Sequence, residues 1–438
     1  MIDILLNIAN PFCFIALFCT SFFLNKIKKL SLFLIIVISI IFLFYQDKLS
    51  FFIVSIVFVI YLYFKLSIIL VYLSLLILVF LKLIGNFIPS FFENGDGVFN
   101  STIPAGTSFF LITIIALYLN NQKLSINKME FLSTVIFFPH ALAGPILHKP
   151  LSIEKDFNEL RFYSSFFYFC YGSILLFLSN ILSTNLYIFQ GNYINVLFSS
   201  WSYYLFLFGN FAGYSFIAYS YAKLFNINIP YNFDAPSISL NPSEFWMRWH
   251  RSLSLFFRNN LMKIFKRNFN LNISIFLIMI ISAGWHGIGL NFFLWGVFHS
   301  LYIILYKKFI YKLGKFINYL LMLSLFPLNW LLFFNNYNQI KFFHQTNFDI
   351  SIIINYFGIK YVVAFILLLV SSFITFNLFS MVLNFKNKSD LNSPYYSEIF
   401  EKSHNKRFFF IILLSSFVMG FFAQQAINVN AFFLYQNF

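Results

Sequence analysis

One histidine of this chain lies inside an apolar run, where an ionisable side chain is costly. His286 stands in the stretch SAGWHGIGLN at 282–291, surrounded by small residues. Ionisable residues inside a membrane-spanning run are rare and usually functional, and small neighbours allow a substrate or another backbone to approach closely. The pattern therefore predicts a functional role for His286. A neutral histidine that is hydrogen-bonded within a helix bundle is the alternative.

A second histidine lies in the segment 241–267, NPSEFWMRWHRSLSLFFRNNLMKIFKR, which is too polar to cross a membrane. The segment starts like a helix, with Asn241 as N-cap, proline next and Glu244 in a capping-box position. An apolar stripe along it predicts an amphipathic helix at the membrane surface; the stripe comprises Phe245, Trp246, Trp249, Leu253, Phe256 and Phe257.

His250 lies on this predicted helix, and its near-neutral pKa suits proton transfer. If the helix folds into a bundle, His250 and His286 can meet across a shared cavity. A solvated histidine beside arginines is the alternative. His299, in WGVFHS, is predicted to have a packing role or a role next to the site.

The same segment carries the densest basic patch of the chain, formed by Arg248, Arg251, Arg258, Lys263, Lys266 and Arg267. Such a patch marks the cytoplasmic side of a membrane and contacts anionic lipids. Alternatively, it binds an anionic acyl donor, such as a coenzyme A thioester or the phosphopantetheine of a carrier protein, because arginine and lysine match phosphate oxygens. No metal-ligand spacing and no ATPase, zinc-protease or serine-hydrolase motif is present.

The elements that must position these residues are apolar helices. Of 438 residues, 60% are hydrophobic and only 10% are charged, a composition that a soluble surface does not support. The net charge of +15 comes in short clusters between apolar segments, which excludes nucleic-acid binding. Apolar segments long enough for a membrane, or nearly so, occur at 4–24, 30–45, 51–64, 66–81, 107–119, 131–147, 163–184, 196–222, 272–290, 291–306, 318–334, 361–384 and 408–425.

The basic clusters between the segments predict the topology. The runs at 248–267 and 307–315 are placed in the cytoplasm, and both termini outside. The segment 131–147 enters and returns, because Pro139, Gly144 and Pro145 interrupt it. The stretch 185–198 is then external, and the first span is retained rather than cleaved as a signal.

Several motifs occur in a fixed order along the chain. The most specific are EFW-x-RWH-x-SLS-x-x-FR at 244–258, AGWHG at 283–287 and NFxxWGxxH at 291–299. They resemble the membrane-bound O-acyltransferase family, in its bacterial branch that O-acetylates alginate or peptidoglycan and D-alanylates teichoic acid. Weaker matches agree in order (FFPHALAGPI, FAGYS, FNINIPYNFDAP, NWLLFF), so the resemblance covers residues 100–438 and leaves 1–100 as generic spans.

The resemblance implies a single all-α domain over 1–438, a polytopic bundle of about 11–12 spans with re-entrant and interfacial helices around a central tunnel. It maps the essential histidine of the family to His286 and its second histidine to His250. The substrate-binding positions are Trp246, Arg248, Trp249, Arg251, Arg258, Trp285, Asn291 and His299. The chain departs from the acetylating members at Phe216, at Asn335 and at Arg258-Asn259-Asn260. These differences bear on which acyl group is transferred and which acceptor receives it.

The function expected from the resemblance is acyl transfer at the cytoplasmic (inner) membrane. A thioester donor, first of all acetyl-CoA, delivers its acyl group from the cytoplasm for O-acylation of an envelope or exported polysaccharide, with His286 as base or acyl relay. No bound cofactor is expected, and an extracytoplasmic esterase-like transferase is the expected partner. Two alternatives stay open: D-alanyl transfer from a carrier protein to teichoic acid, and a transporter or channel for lipid-linked sugars.

Overall fold

A computed structural model describes the parts of the chain that hold the motif residues 244–258, 283–287 and 291–299. The described residues are 17, 33–41, 107–120, 128–139, 144–151, 160–183, 187–190, 192–287, 289–333, 341–344, 354, 358–374, 385–388 and 397–400. The predicted spans at 51–64, 66–81 and 408–425, and most of the one at 4–24, lie outside them.

Helices dominate the described residues, which confirms the helical class. The α-helices are α1 (Thr107–Asn120), α2 (Lys128–Val135), α3 (Leu160–Ser183), α4 (Tyr193–Leu224), α5 (Pro242–Arg248), α6 (Arg251–Phe256), α7 (Met262–Asn268), α8 (Leu271–His286), α9 (Leu290–Lys308), α10 (Lys315–Ser324) and α11 (Ile359–Phe373). Short 3-10 helices occupy Pro236–Ile238, Ile310–Leu313 and Pro327–Phe333, and a π-helical turn occupies Phe257–Leu261.

Two short strand ladders accompany the helices and were not expected from the sequence. Strand β1 (Tyr187–Gln190) pairs in parallel with β2 (Lys341–His344). Strand β3 (Phe385–Lys388) pairs antiparallel with β4 (Ser397–Phe400). Each ladder contains only two strands of four residues, so neither alters the helical class of the described chain.

Two helical stretches among the described residues are long and apolar enough to cross a membrane, Ser164–Ser183 and Lys315–Phe333. Three shorter apolar helices accompany them, at Phe109–Asn120, Leu271–His286 and Ile359–Phe373. The full polytopic bundle and its tunnel stay predictions. Helix α2 ends at Val135, before Pro139, and 144–147 is irregular, so the helix break predicted in 131–147 is present.

The chain divides into two compact units. The first comprises 1–174, 213–232 and 380–437, and the second comprises 175–212, 233–379 and residue 438. In the first unit, the ring of Tyr219 lies 3.9 Å from that of Tyr231, and Asn232 donates a 3.2 Å hydrogen bond to Ser215. The prediction of one domain over 1–438 is not tested by this division.

The second unit holds the motif residues, and its closest helix pair is α8 with α9. A Cβ added at Gly296 of α9 would lie 2.9 Å from the Cβ of Ala283 and 2.9 Å from the Met279 carbonyl oxygen, both on α8. The small residues around His286 therefore do permit close backbone approach, at Ala283. Gly284 does not take part, since a Cβ there would meet no atom within 4 Å.

Candidate functional site

Helix α5 begins with the capping arrangement that the sequence predicts. The side chain of Asn241 accepts a 2.8 Å hydrogen bond from the backbone N–H of Glu244. The Glu244 carboxylate reaches back and accepts one of 3.0 Å from the N–H of Leu240, the residue before the cap. Two N–H groups at the helix start are thereby satisfied, which fixes where α5 begins.

The predicted single helix over 241–267 is divided in the structure. Trp249 is extended, and His250 adopts a left-handed backbone conformation with φ 42° and ψ 53°, so α5 ends at Arg248 and α6 starts at Arg251. A π-helical turn then separates α6 from α7. Strained backbone and π-helical turns both concentrate at functional sites. The division places His250 at a corner rather than on the face of a long helix.

The polar side of the predicted amphipathic helix is also buried. Arg251 is 3% exposed and Ser252 is fully buried, so α6 packs inside the second unit, whereas Lys263, Lys266 and Arg267 of α7 stay exposed. The physical reason is a buried acid that the helix pattern does not include. Arg251 donates a 3.1 Å hydrogen bond to the Asp234 carboxylate, which compensates the buried charge.

Arg248 completes this charged group. Its Nε donates a 3.0 Å hydrogen bond to the Glu244 carboxylate, one helical turn earlier, and its guanidinium also donates to the backbone carbonyl of Asp234, at 3.0 Å. The side chain is 11% exposed. Both arginines therefore hold the segment before α5 against α5 and α6, and their guanidinium groups are engaged within the protein.

The two histidines of the prediction both contact one indole, that of Trp285. The ring centroid of Trp285 is 5.7 Å from that of His250 and 4.7 Å from that of His286. Both histidines are buried, at 3% and 7% exposure. His250 also meets the edge of Phe211 at 4.5 Å, and His286 meets Phe333 at 4.8 Å. The structure thus brings both predicted catalytic residues into one aromatic cluster, in which each contacts Trp285.

His299 extends this cluster and is fully buried. Its ring lies 4.7 Å from Trp295, which in turn lies 5.6 Å from His286. Trp246 of α5 packs edge-on against His299 at 5.1 Å. We call the group of His250, Trp285, His286, Trp295, His299 and Trp246 the imidazole–indole cluster.

The remaining predicted positions are Trp249, Asn291 and Arg258. Trp249 packs among aromatic rings, 4.6 Å from Trp330 and 5.0 Å from Phe233. Asn291 is buried in the first turn of α9. Arg258 is half-buried in the π-helical turn. The predicted substrate contacts of these three residues stay predictions.

Burial determines the protonation state of His250. It lowers the pKa of His250 to about 3, because a charged imidazole cannot be solvated there. His250 is therefore neutral at physiological pH and can accept a proton or a hydrogen bond at one ring nitrogen.

Sequence reasoning did not assign roles to Asp234, Trp295 and Phe333. A role for Asp234 could have been predicted from the sequence. Asp234 is an acid in the apolar stretch FNINIPYNFDAP, and a buried acid requires a nearby cation. Nothing in the pattern distinguishes Trp295 or Phe333 from other aromatic residues, because 23% of the chain is aromatic.

Comparison with known proteins agrees with the motifs. No family model matches the chain. It is 28% identical over 229 residues to a peptidoglycan O-acetyltransferase of Helicobacter pylori, a match that covers 47% of this chain and 44% of that protein. It is 27% identical over 218 residues to the probable alginate O-acetylase AlgI of Pseudomonas putida (46% and 45% covered).

A third relative is the teichoic acid D-alanyltransferase of Streptococcus thermophilus, 37% identical over 117 residues, with 24% of this chain and 28% of that protein covered. The chain therefore spans less than half the length of these curated relatives. The names of the relatives support an acyltransferase activity. The curated homologues of this chain are thus O-acetyl and D-alanyl transferases of the membrane-bound O-acyltransferase type, as the motif resemblance predicts.

Proposed function

We propose that this chain is a membrane-bound O-acyltransferase that takes an acyl group from a cytoplasmic thioester and delivers it for O-acylation of an envelope polysaccharide. The observation that carries the proposal is the pair of buried imidazoles, His250 and His286, which both contact Trp285. Packed imidazoles in a water-poor surrounding suit proton transfer at an acyl group that water must not reach.

The chemistry needs little more than positioning and a base. A thioester already holds an activated acyl group, so a hydroxyl oxygen attacks its carbonyl carbon, the carbon–oxygen bond forms and the carbon–sulfur bond breaks. The hydroxyl proton passes to His286, which then protonates the thiolate that leaves. His250 supports this step as a neutral imidazole beside the same indole.

The positions of the basic side chains indicate which of them bind the donor. Arg248 and Arg251 are engaged by Glu244 and Asp234, whereas Lys263, Lys266 and Arg267 are exposed on α7. Burial and then the charge of Lys266 lower the pKa of Lys307, so these two lysines of α7 and α9 lie near each other. Clustered exposed cations suit the phosphates of a coenzyme A donor. We therefore assign donor docking to this lysine cluster (Lys263, Lys266, Arg267 and Lys307).

The proposal places the chain in the cytoplasmic membrane as a multi-pass protein. The lysine cluster then faces the cytoplasmic donor, and 185–198 faces the acceptor side. The apolar helices Ser164–Ser183 and Lys315–Phe333 support this arrangement. The acyl group then passes either directly to the polysaccharide acceptor or to an extracytoplasmic esterase-like transferase that hands it on, and we propose the direct route first.

D-alanyl transfer is the second candidate, and two observations favour it. The D-alanyltransferase match has the higher identity, 37% against 28% for the peptidoglycan O-acetyltransferase. Where many acetylating members carry aspartate, this chain has Phe216, which is buried and stacks on Tyr168 at 5.9 Å. The charged group at that position is thereby replaced by an apolar contact.

One experiment tests the proposal and separates the donors. The purified full chain is incubated with an acceptor polysaccharide and radiolabelled acetyl-CoA or, separately, with the acceptor and a D-alanyl carrier protein, and thiol release is followed. We expect turnover of acetyl-CoA and none of the carrier. Turnover of the carrier alone would select D-alanyl transfer. Turnover of neither, together with movement of lipid-linked sugar across vesicles, would replace the enzyme by a transporter.

A further inference from the structure

A small cavity of about 20 Å³ lies in the second unit beside the imidazole–indole cluster. Two of its wall residues, Phe326 and Trp330, contact His299 at ring-centroid distances of 4.9 and 5.9 Å. Its volume suits a group the size of a water molecule or a single hydroxyl. The wall is formed by Trp201, Tyr204, Pro236, Ser237, Ser239, Phe245, Met322, Leu323, Phe326, Pro327 and Trp330.

The hydroxyls at the wall can only accept further hydrogen bonds. Ser372 donates its single proton to the Leu369 carbonyl at 2.7 Å. The 2.8 Å contact between Ser237 and Ser372 therefore requires Ser237 to donate, and the 3.0 Å contact between Tyr204 and Ser237 requires Tyr204 to donate. The protons of this hydroxyl chain are all used, and lone pairs on Tyr204 and Ser237 are left.

The hydroxyl of Ser239, also at the wall, can likewise only accept a further hydrogen bond. It donates to the Pro236 carbonyl at 2.7 Å. An occupant of the cavity must consequently bring a proton of its own to bond any of these oxygens.

Trp330, by contrast, can donate a hydrogen bond. Its side chain is 2% exposed, and its indole N–H has no hydrogen-bond acceptor among the described residues. An indole N–H is a donor only, and leaving it without an acceptor in a buried place costs free energy. The other indole of the wall, Trp201, differs because it donates to the Leu323 carbonyl at 3.0 Å. The cavity thus offers one donor and several acceptors.

We propose that this cavity binds one hydroxyl of a neutral acceptor glycan, which accepts a hydrogen bond from Trp330 and donates one to Tyr204 or Ser237. None of the residues that line the cavity is charged, so a hydroxyl is favoured over a carboxylate or phosphate, whose charge would be buried without a counterion. The inference rests on the proposed function and specifies the acceptor class for it.

The bound hydroxyl is not the one that is acylated. Phe333 contacts both Trp330 and His286, at ring-centroid distances of 5.8 and 4.8 Å, so one ring links the cavity wall to the base. A sugar unit anchored here would present a hydroxyl of a neighbouring unit to His286. The cavity is also tied to the predicted external stretch 185–198, because Tyr193 of that stretch donates to the Ser324 carbonyl, next to wall residue Leu323.

Glycan binding by the purified full chain tests the inference without relying on turnover. The probe is the tetrasaccharide of N-acetylglucosamine, which is neutral and rich in hydroxyls, and its Kd is measured by isothermal titration calorimetry. We expect wild type to bind and Trp330→Phe and Ser237→Ala each to raise Kd about three- to tenfold, the loss of one hydrogen bond. Ser274→Ala, at a buried serine of α8 that does not line the cavity, is the matched control for Ser237→Ala and should keep the wild-type Kd.

Three results would overturn the inference: no binding by wild type, the same Kd in all variants, or a loss in Ser274→Ala equal to that in Ser237→Ala. The second result would mean that the cavity holds only a water molecule. Thiol release from acetyl-CoA by wild type is followed in parallel. Release without glycan binding would remove this inference alone, whereas glycan binding without release from any donor would remove the proposed function and leave the hydroxyl site.

Discussion

Arg251 and Asp234 form a buried ion pair, with the guanidinium donating to the carboxylate over 3.1 Å and both side chains nearly inaccessible to solvent. The pair holds the stretch before α5 against the start of α6. Arg251 is the first residue of α6 and directly follows His250. The site histidine therefore has its position fixed by a charge pair rather than by a continuous helix.

Loss of this pair should destabilise the protein. Removing one partner of a buried pair leaves an uncompensated charge, so Arg251→Ala should lower the free energy of unfolding by about 3–5 kcal/mol. Thermal unfolding in detergent measures the effect, and Lys266→Ala, at an exposed position, is the control. An unchanged Tm in Arg251→Ala would contradict the structural role.

Donor affinity should depend on the lysine cluster rather than on the paired arginines. Lys266→Gln and Lys307→Gln should each weaken acetyl-CoA binding by about 0.5–1 kcal/mol, more at low salt than at high salt, because exposed charges are screened. Arg248→Lys and Arg251→Lys should leave donor affinity unchanged, since their partners are internal.

If a guanidinium instead forks onto donor phosphates, the arginine variants should lose about 1–3 kcal/mol of donor affinity. Arg258→Lys belongs in the same series, because Arg258 is half-buried in the π-helical turn. Donor affinity measured for each single variant separates the two assignments. A loss of donor affinity confined to the arginine variants would assign donor binding to the residues of the EFW-x-RWH motif instead.

His286→Ala should abolish acyl transfer while the protein stays in the membrane. Loss of a general base usually costs about 100-fold or more in rate, whereas one imidazole contributes little to the packing of a large helical unit. Acyl release and the amount of membrane protein are measured together. Transfer at the wild-type rate would refute the catalytic assignment and favour a transporter.

The contact between α8 and α9 can be tested with a matched pair of glycines. Gly296→Ala places a Cβ 2.9 Å from Ala283, so it should cost about 1–3 kcal/mol and lower the transfer rate by moving His286 relative to His299. Gly284→Ala meets no atom within 4 Å and should be neutral or stabilise by up to about 1 kcal/mol. Equal effects on Tm would contradict the close approach.

Stability should fall in acid partly through His250. Its pKa is about 3 in the folded protein and near 6.5 in the unfolded chain, so between these values only the unfolded state takes up the proton. The contribution is fully present above pH 6.5 and decreases below it, by at most about 1.4 kcal/mol per pH unit. His250→Asn, which tolerates a left-handed backbone, should show a shallower loss of Tm in acid. A parallel loss in both proteins would exclude His250 as the source.

Part of this site could be predicted from the sequence because its signals are local. The capping of α5 by Asn241 and Glu244 follows from neighbouring residue types, and His286 stands out because its surroundings are apolar. The burial of Arg251 could not be predicted from the helix pattern, because it depends on Asp234, seventeen residues earlier. The break at His250 could not be predicted either, because the 3.6-residue period of a helix carries no information about it.

The left-handed backbone of His250 has a consequence for chemical control of the protein. Glycine accepts this conformation more readily than any other residue, so His250→Gly removes the imidazole while it relieves the backbone. The space left beside Trp285 and Phe211 has the shape of an imidazole ring. The corner is therefore suited to chemical rescue, in which free imidazole added to the solution restores the missing group and its concentration sets the rate.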